Sequence, residues 1–355
     1  LSIVNRRPLP ILRRDGRGKK GREEMANAAF DVLGVGHAIV DILAPTTDAF
    51  LTEHGIAKNA MTLVDGYRAE MLGKSMKNAV EASGGSAANT MVGIASFGGS
   101  AAFIGKVNDD RLGKVFNDDI RRAGVSFECR PAKGKVATAS SHILITPDGH
   151  RSMNTYLGCA SAIEDADAAA ERVAQAKILY VEGYLWDTDS AKTVIRAAIK
   201  RAKAAKRKVA LTLSDPFCVG RWRDEFKELM ANDVDILFAN EAEAKALYES
   251  PRFDDAFQAL RQWGRTVAIT RSENGAVVLD DGRVHILDAD PVERVVDTTG
   301  AGDQYAAGFL FGFARGGAID VCGRLGSLAA AEVISHVGPR PQTSLKALAA
   351  KAGLI

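Results

Sequence analysis

The chain lacks most of the features that would assign it to a class at a glance. It has no run of about 18 apolar residues, so no membrane-spanning helix is expected. It has only four cysteines (Cys129, Cys159, Cys218 and Cys322), too widely spaced for a disulfide framework or a zinc site. That usage fits a reducing cytoplasm. No His-x-x-x-His pair supports a catalytic zinc, and no Gly-x-x-x-x-Gly-Lys-Ser/Thr loop supports a P-loop kinase. Gly34-Val35-Gly36 starts like a dinucleotide-binding turn, but Ile39 stands where the third glycine belongs.

Excess charge is lacking too. The net charge is +2 over 355 residues, and charged residues make up an ordinary 25%. What imbalance exists lies in residues 1–24, where eight Lys/Arg face three Asp/Glu. A basic tail on a slightly acidic body does not describe a nucleic-acid-binding protein. The tail has no apolar core of signal-peptide length. It begins with Leu, and Met25 stands just before the first convincing strand, Phe30-Asp31-Val32-Leu33-Gly34-Val35-Gly36. Met25 is therefore expected to be the natural start. Residues 1–24 are expected to be a disordered or non-native extension, with an Arg-rich targeting peptide as the alternative.

Past the tail, strand-like and helix-like runs alternate. Residues 31–36, Ala101–Ile104, Ile178–Glu182, Val209–Leu213, Ile236–Ala239 and Val267–Thr270 read as strands. Residues 86–97, 111–123 and 188–205 read as helices between them. This rhythm predicts an α/β layered fold with a largely parallel sheet. Residues 136–156 break it: two β-rich runs flank Pro147-Asp148-Gly149, a strong turn signal. With Ile39–Leu43 and Ala60–Val64 the hairpin can form a small separate sheet, a natural lid over a site. It can equally extend the edge of the main sheet, and the pattern alone does not choose.

The densest chemical signal is Asp297-Thr298-Thr299-Gly300-Ala301-Gly302-Asp303 at the start of an apolar helix. A helix N-terminus offers unpaired N–H groups and positive dipole, and glycines let an anion approach the backbone. Asp303 adds a carboxylate beside them. A base next to an anion cradle is what phosphoryl transfer to an alcohol needs. Read alone, the same residues are a helix N-cap after a turn. Gly84-Gly85-Ser86-Ala87-Ala88-Asn89 is a second turn of this kind. There Asn89 can reach a sugar hydroxyl, or the segment can be plain helix entry. Asp41 lies inside the apolar run Ile39–Leu43, where a carboxylate needs a partner: a ribose diol or a structural hydrogen bond.

Three segments together resemble the ribokinase-like (phosphofructokinase-B) family of sugar and nucleoside kinases. The first is Gly84-Gly85 through Asn89, followed by Gly98-Gly99 and Ile104 through Gly113. The second is Asn240-Glu241-Ala242-Glu243, similar to the family's Asn-x-x-Glu motif. The third is Asp297 through Asp303. Their order covers nearly all of residues 30–340, and the pattern is most similar to the adenosine kinase branch and its bacterial members. The resemblance implies a three-layer α/β/α domain over residues 25–355, with a mostly parallel central sheet and a β lid from about 38–66 and 134–157. It implies ATP-dependent phosphorylation of the primary hydroxyl of a ribose-containing substrate, adenosine first, by a monomer or homodimer without nucleic-acid or membrane partners. Another sugar or nucleoside acceptor is the nearest alternative, and a non-catalytic sensor the more distant one.

Residue by residue, the resemblance makes Asp303 the catalytic base and Gly300, Ala301 and Gly302 the anion hole. Asn240 and Glu243 match the pair that orders Mg²⁺ through water, a role compatible with a helix capping box. His37, Asp41, Gly85 and Asn89 match substrate positions. Tyr184 is a candidate to stack on a purine or to sit in the core. Thr270, Arg271 and Gly275 match the nucleotide loop, and Asp297 and Thr299 a potassium-type monovalent cation site. Three departures stand out. His37 replaces a common Asn with a titratable ring. Ser272 and Asn108 replace glycines, and Asn tolerates positive φ.

Overall fold

The computed structural model describes residues 28–355, so the expectation for residues 1–24 lies outside the described residues. A nine-stranded sheet forms the centre. Its order is Arg283–Leu287, Ala276–Asp280, Thr266–Thr270, Ile236–Asn240, Lys208–Thr212, Ala176–Glu182, Phe30–Val35, Ala101–Ile104 and Ser126–Phe127. All neighbours pair in parallel except at the first edge, where Thr266–Thr270, Ala276–Asp280 and Arg283–Leu287 run antiparallel. Parallel strands are covered on both faces and therefore read as unbroken apolar runs. Val32, Leu33 and Val35 illustrate this, each with no exposed surface.

Helices cover the two faces. Helices Asp189–Ala204, Pro216–Asn232, Glu241–Tyr248 and Phe253–Trp263 pack into one apolar cluster with Leu179, Leu211 and Leu237. Ser86–Ser96, Arg111–Arg122, Ala301–Ala314 and Ile319–Ile334 pack into the other, around Phe103, Tyr180 and Phe238. This is the three-layer arrangement expected. The antiparallel edge hairpin was not; Asp281-Gly282 at its turn, with φ of 47° and 74°, is the signal that marks it.

The hairpin around Pro147-Asp148-Gly149 does not extend the main sheet. It belongs to a separate five-stranded sheet ordered Met61–Leu63, Arg151–Tyr156, Ala139–Ile145, Ile39–Pro45, Val80–Gly84. Residues 38–66 and 134–157 supply four of these strands, and Val80–Gly84 is the fifth. Asp41 pairs across the sheet with Ser141 and Ala82, and Ser141 with Thr155. Asp41, Ser141 and Thr155 form one polar row on one face. No helix among the described residues is long and apolar enough to cross a membrane.

Candidate active site

The site assembles at the carboxyl ends of the parallel strands, where an open α/β sheet leaves its crevice. Helix Ala301–Ala314 starts there with Gly300 as N-cap and no side-chain cap; Ala301 N donates to Thr298 O at 3.2 Å, and no side chain caps the Gly302 amide in the same turn. Gly300 has φ 78°, and a Cβ there would lie 2.7 Å from the Pro339 backbone. Gly302 differs: a Cβ there would meet nothing within 4 Å. The space over Gly302 is open, as an anion cradle requires.

Asp303 stands in the first turn of this helix and keeps some solvent contact. Ser86 Oγ donates to its Oδ1 at 2.6 Å, and Asn89 Nδ2 donates to its Oδ2 at 3.3 Å. Desolvation pushes its pKa up to about 6, against the pull of those two hydrogen bonds and of Arg340. Such a carboxylate is ionised at neutral pH yet basic enough to take a proton. Gln304, fully buried, donates to the carbonyls of Asn89 and Pro339 at 3.0 Å each, locking the two helix starts together.

Gly85 begins the helix that carries Ser86 and Asn89. Its φ is 97°, and a Cβ would meet His37 O at 2.1 Å. His37 is buried, and its Nε2 lies 3.0 Å from Ser161 Oγ. Burial pushes the ring down to about 4, so it stays neutral near pH 7; the titratable ring expected from the sequence does not titrate there. Beside it Glu182 accepts from the amides of His37 (2.7 Å) and Ala87 (2.9 Å), joining the two turns, and desolvation raises its pKa to about 7.

Asp41 reaches this centre from the smaller sheet. Burial raises its pKa to about 7, countered by Arg340 and Arg151. A Cβ on Gly84 would lie 2.3 Å from its Oδ2, so that close approach needs glycine. A cavity of about 500 Å³ opens here, lined by Asp41, Leu43, Val80, Ser83, Ile145 and Arg340 among others. Asp303 is not in its wall; Arg340 and Asn89 connect the two.

Asn240 and Glu243 form a reciprocal capping box. Asn240 accepts from Glu243 N at 2.8 Å, while Glu243 accepts from Asn240 N at 3.0 Å and Nδ2 at 2.7 Å. Desolvation, with Asp215 and Asp303 nearby, raises Glu243 to about 7. No group of three or more His, Cys, Asp or Glu among the described residues forms a metal cage. A buried Glu243 that feels the charges of Asp215 and Asp303, without a cage, fits a divalent ion held mainly by phosphates and water, with Glu243 behind the water. Thr270 pairs with Asn240 across neighbouring strands. Arg271 is engaged by Glu241 at 3.0 Å and lies over the Phe253 ring at 4.3 Å. Gly275 closes the following turn, donating to Ser272 O at 3.1 Å. Ser272 takes φ 52°, the glycine-like conformation its position implies. Asn108 does not: its side chain supports the turn instead, accepting from Asp109 N and donating to Val136 O, both at 2.8 Å. Tyr184 packs against the core cluster, and its hydroxyl donates to Ser214 O at 3.4 Å.

Asp297 is buried and fully engaged. It accepts from Thr299 N (3.1 Å) and Gly338 N (2.8 Å), and Arg151 Nη2 lies 2.5 Å from its Oδ2. Arg151, Arg340, Glu182 and Ser86 were all missed in the sequence. Glu182 had a signal, a charge ending an apolar strand. Arg151 and Arg340 had none, because nothing local announces that an arginine opening a strand, or one in a loop, will turn into the site.

A family model described as pfkB family carbohydrate kinase matches residues 58–346, most of the chain. The chain belongs to the pfkB family of carbohydrate kinases. An adenosine kinase from Sinorhizobium meliloti of known structure is 52% identical, with 92% of this chain and 100% of that one covered at a TM-score of 0.86. A probable sugar kinase protein from Rhizobium etli CFN 42 is 48% identical over the same shares, TM-score 0.87. Adenosine kinase 1 of Arabidopsis thaliana is 27% identical, covering 88% of this chain and 97% of that protein. The chain is thus an ATP-dependent sugar or nucleoside kinase with a ribokinase-like fold, as the three motifs had implied.

Proposed function

We propose that this pfkB-family enzyme transfers the γ-phosphoryl group of ATP to the 5′-hydroxyl of adenosine. The observation that carries the proposal is Asp303, held by Ser86 and Asn89 beside the uncapped helix start and poised near pH 6. The 52% identity to the Sinorhizobium meliloti adenosine kinase supports the acceptor.

In this reading Asp41 accepts from ribose hydroxyls, with Gly85 and Asn89 at the same end and His37 holding the turn beneath them. Asp303 takes the 5′-hydroxyl proton as that oxygen attacks the γ-phosphorus. The bond to the bridging oxygen breaks, ADP leaves and AMP forms. Amides at Gly300, Ala301 and Gly302 receive the charge on the transferring oxygens. Thr270, Arg271 and Gly275 border the nucleotide, and Tyr184 borders the site from the turn after the strand Ala176–Glu182. Glu243 and Asn240 would order Mg²⁺ through water, and the ion when bound would supply charge neutralisation on the phosphates. The Asp297 carboxylate is already matched by Arg151, so no step passes through a potassium ion at Asp297 and Thr299. The smaller sheet serves as the lid that excludes water, a competing acceptor. Every group named comes from one chain, so a monomer or a homodimer can work this way. The four free cysteines are in keeping with a cytoplasmic enzyme.

Two results are expected. ADP release measured with adenosine, inosine, guanosine, ribose and fructose 6-phosphate is expected to be stimulated most by adenosine. A preference for ribose or fructose 6-phosphate would replace the acceptor, and no stimulation by any would remove the kinase reading of this site. Replacing Asp41 by Ala is expected to raise the adenosine KM about 10- to 100-fold, through loss of charge-assisted hydrogen bonds, with the ATP KM unchanged. Equal weakening toward both substrates would take Asp41 out of the acceptor site.

A further inference from the structure

Arg340 is a largely buried cation, its side chain 15% exposed, that the chemistry above does not use. Its Nε donates to Asn89 Oδ1 at 3.1 Å. Its Nη1 donates to Ser83 Oγ at 2.5 Å and to Asp119 Oδ2 at 3.0 Å. Its Nη2 is buried and has no partner among the described residues. The residue lines the cavity beside Asp41.

A guanidinium only donates. The Asn89 atom facing it must therefore be the carboxamide oxygen, which turns the NH2 of Asn89 toward Asp303. An ionised Asp303 only accepts, so this is the one orientation that satisfies both neighbours. Without Arg340 only the 3.3 Å bond to Asp303 would hold that orientation, and the carboxamide oxygen would have lost its donor.

We propose that Arg340 is a positioning residue for phosphoryl transfer: it locks the Asn89 carboxamide against Asp303, and its free Nη2 is left for an oxygen of the acceptor beside Asp41. This rests on the kinase reading of the site but not on which acceptor is used. The charged and titratable groups around Asp303 agree with such a role. Asp41 from the smaller sheet, Glu182 and Tyr180 from the strand Ala176–Glu182, Tyr184 after it and Glu243 from helix Glu241–Tyr248 all face it without positive charge. Arg340 is the cation whose charge lowers its pKa.

The test uses the full-length enzyme with Arg340→Met and Arg340→Lys, alone and combined with Asn89→Ala, on whichever acceptor the parent enzyme turns over best. Arg340→Met is expected to lower kcat and raise acceptor KM by about 10- to 100-fold, leaving the ATP KM unchanged. Its acidic limb of kcat/KM is expected to move to higher pH. Arg340→Lys keeps the charge but loses the fork, so it is expected to restore the limb and leave the KM high. Once Asn89 is Ala, replacing Arg340 is expected to have much less further effect, because the two act as a unit. Calorimetry of acceptor binding gives the affinity change independently of turnover. Additive effects, or a uniform fall in active enzyme with unchanged KM and unchanged acidic limb, would overturn the proposal. A parent enzyme inactive on adenosine but active on another acceptor would overturn the acceptor assignment and leave this test intact.

Discussion

Asp303→Asn is expected to lower kcat by about 10²- to 10⁴-fold, the usual contribution of a positioned general base, while both substrates still bind. The structure makes this a clean substitution. The new carboxamide can turn its oxygen to the Asn89 NH2 and its own NH2 to the Ser86 hydroxyl, so neither present partner is lost. Stability should not fall either. A carboxyl whose folded pKa of about 6 lies above its reference of 3.8 favours folding below the reference value and loses that advantage as pH rises through about 6. At about pH 7.5 the parent carries a desolvated charge that the variant lacks, so the variant is expected to melt no lower. In the parent, kcat/KM is expected to rise with pH through about 6, as the base ionises, and then level off. Pre-steady-state and steady-state ADP release, with calorimetric titration of each substrate, measure both parts. Near-parental turnover in the variant would remove Asp303 from the role of base.

Much of the architecture was legible because parallel strands write themselves as apolar runs. Ile178–Glu182 and Val267–Thr270 were found for that reason, and both fall in the central sheet. The hairpin 139–156 was equally visible, but its destination was not. Sheet membership depends on which partner lies alongside, and Val80–Gly84 carries too little apolar pattern to announce itself as a strand. The site divided in the same way. Residues that work through backbone geometry, such as Gly85 and Gly300, are written as local motifs. Residues that work through long side chains are not: Arg151 lies 146 positions from Asp297, and Arg340 is 251 positions from Asn89. Their roles exist only after the smaller sheet and the 337–342 segment have folded over the helix starts.

The two glycines of the anion loop should fail in opposite ways, and the contrast separates fold from function. Gly300 is held at φ 78° with the Pro339 backbone where its Cβ would be, at 2.7 Å. Gly300→Ala therefore strains the N-cap and must displace a backbone segment rather than a flexible side chain. The left-handed conformation alone costs about 1–2 kcal/mol for a residue with a Cβ, and the contact adds to it. Lower thermal stability is expected, with activity lost as the loop shifts. Gly302 has ordinary backbone and open space above it. Gly302→Val should fold with a melting temperature close to the parent's, since a Cβ there meets no neighbouring group within 4 Å. Its isopropyl group would instead stand in the space where phosphoryl oxygens reach the helix amides. Denying a transition state its backbone donors typically costs 10²- to 10³-fold, so kcat is expected to fall by about that factor. Acceptor affinity, set at Asp41 and Asn89, should barely change. Melting curves and kinetics on the two variants decide the matter. If Gly302→Val keeps parental kcat, the space above this helix start is not where the phosphoryl group passes.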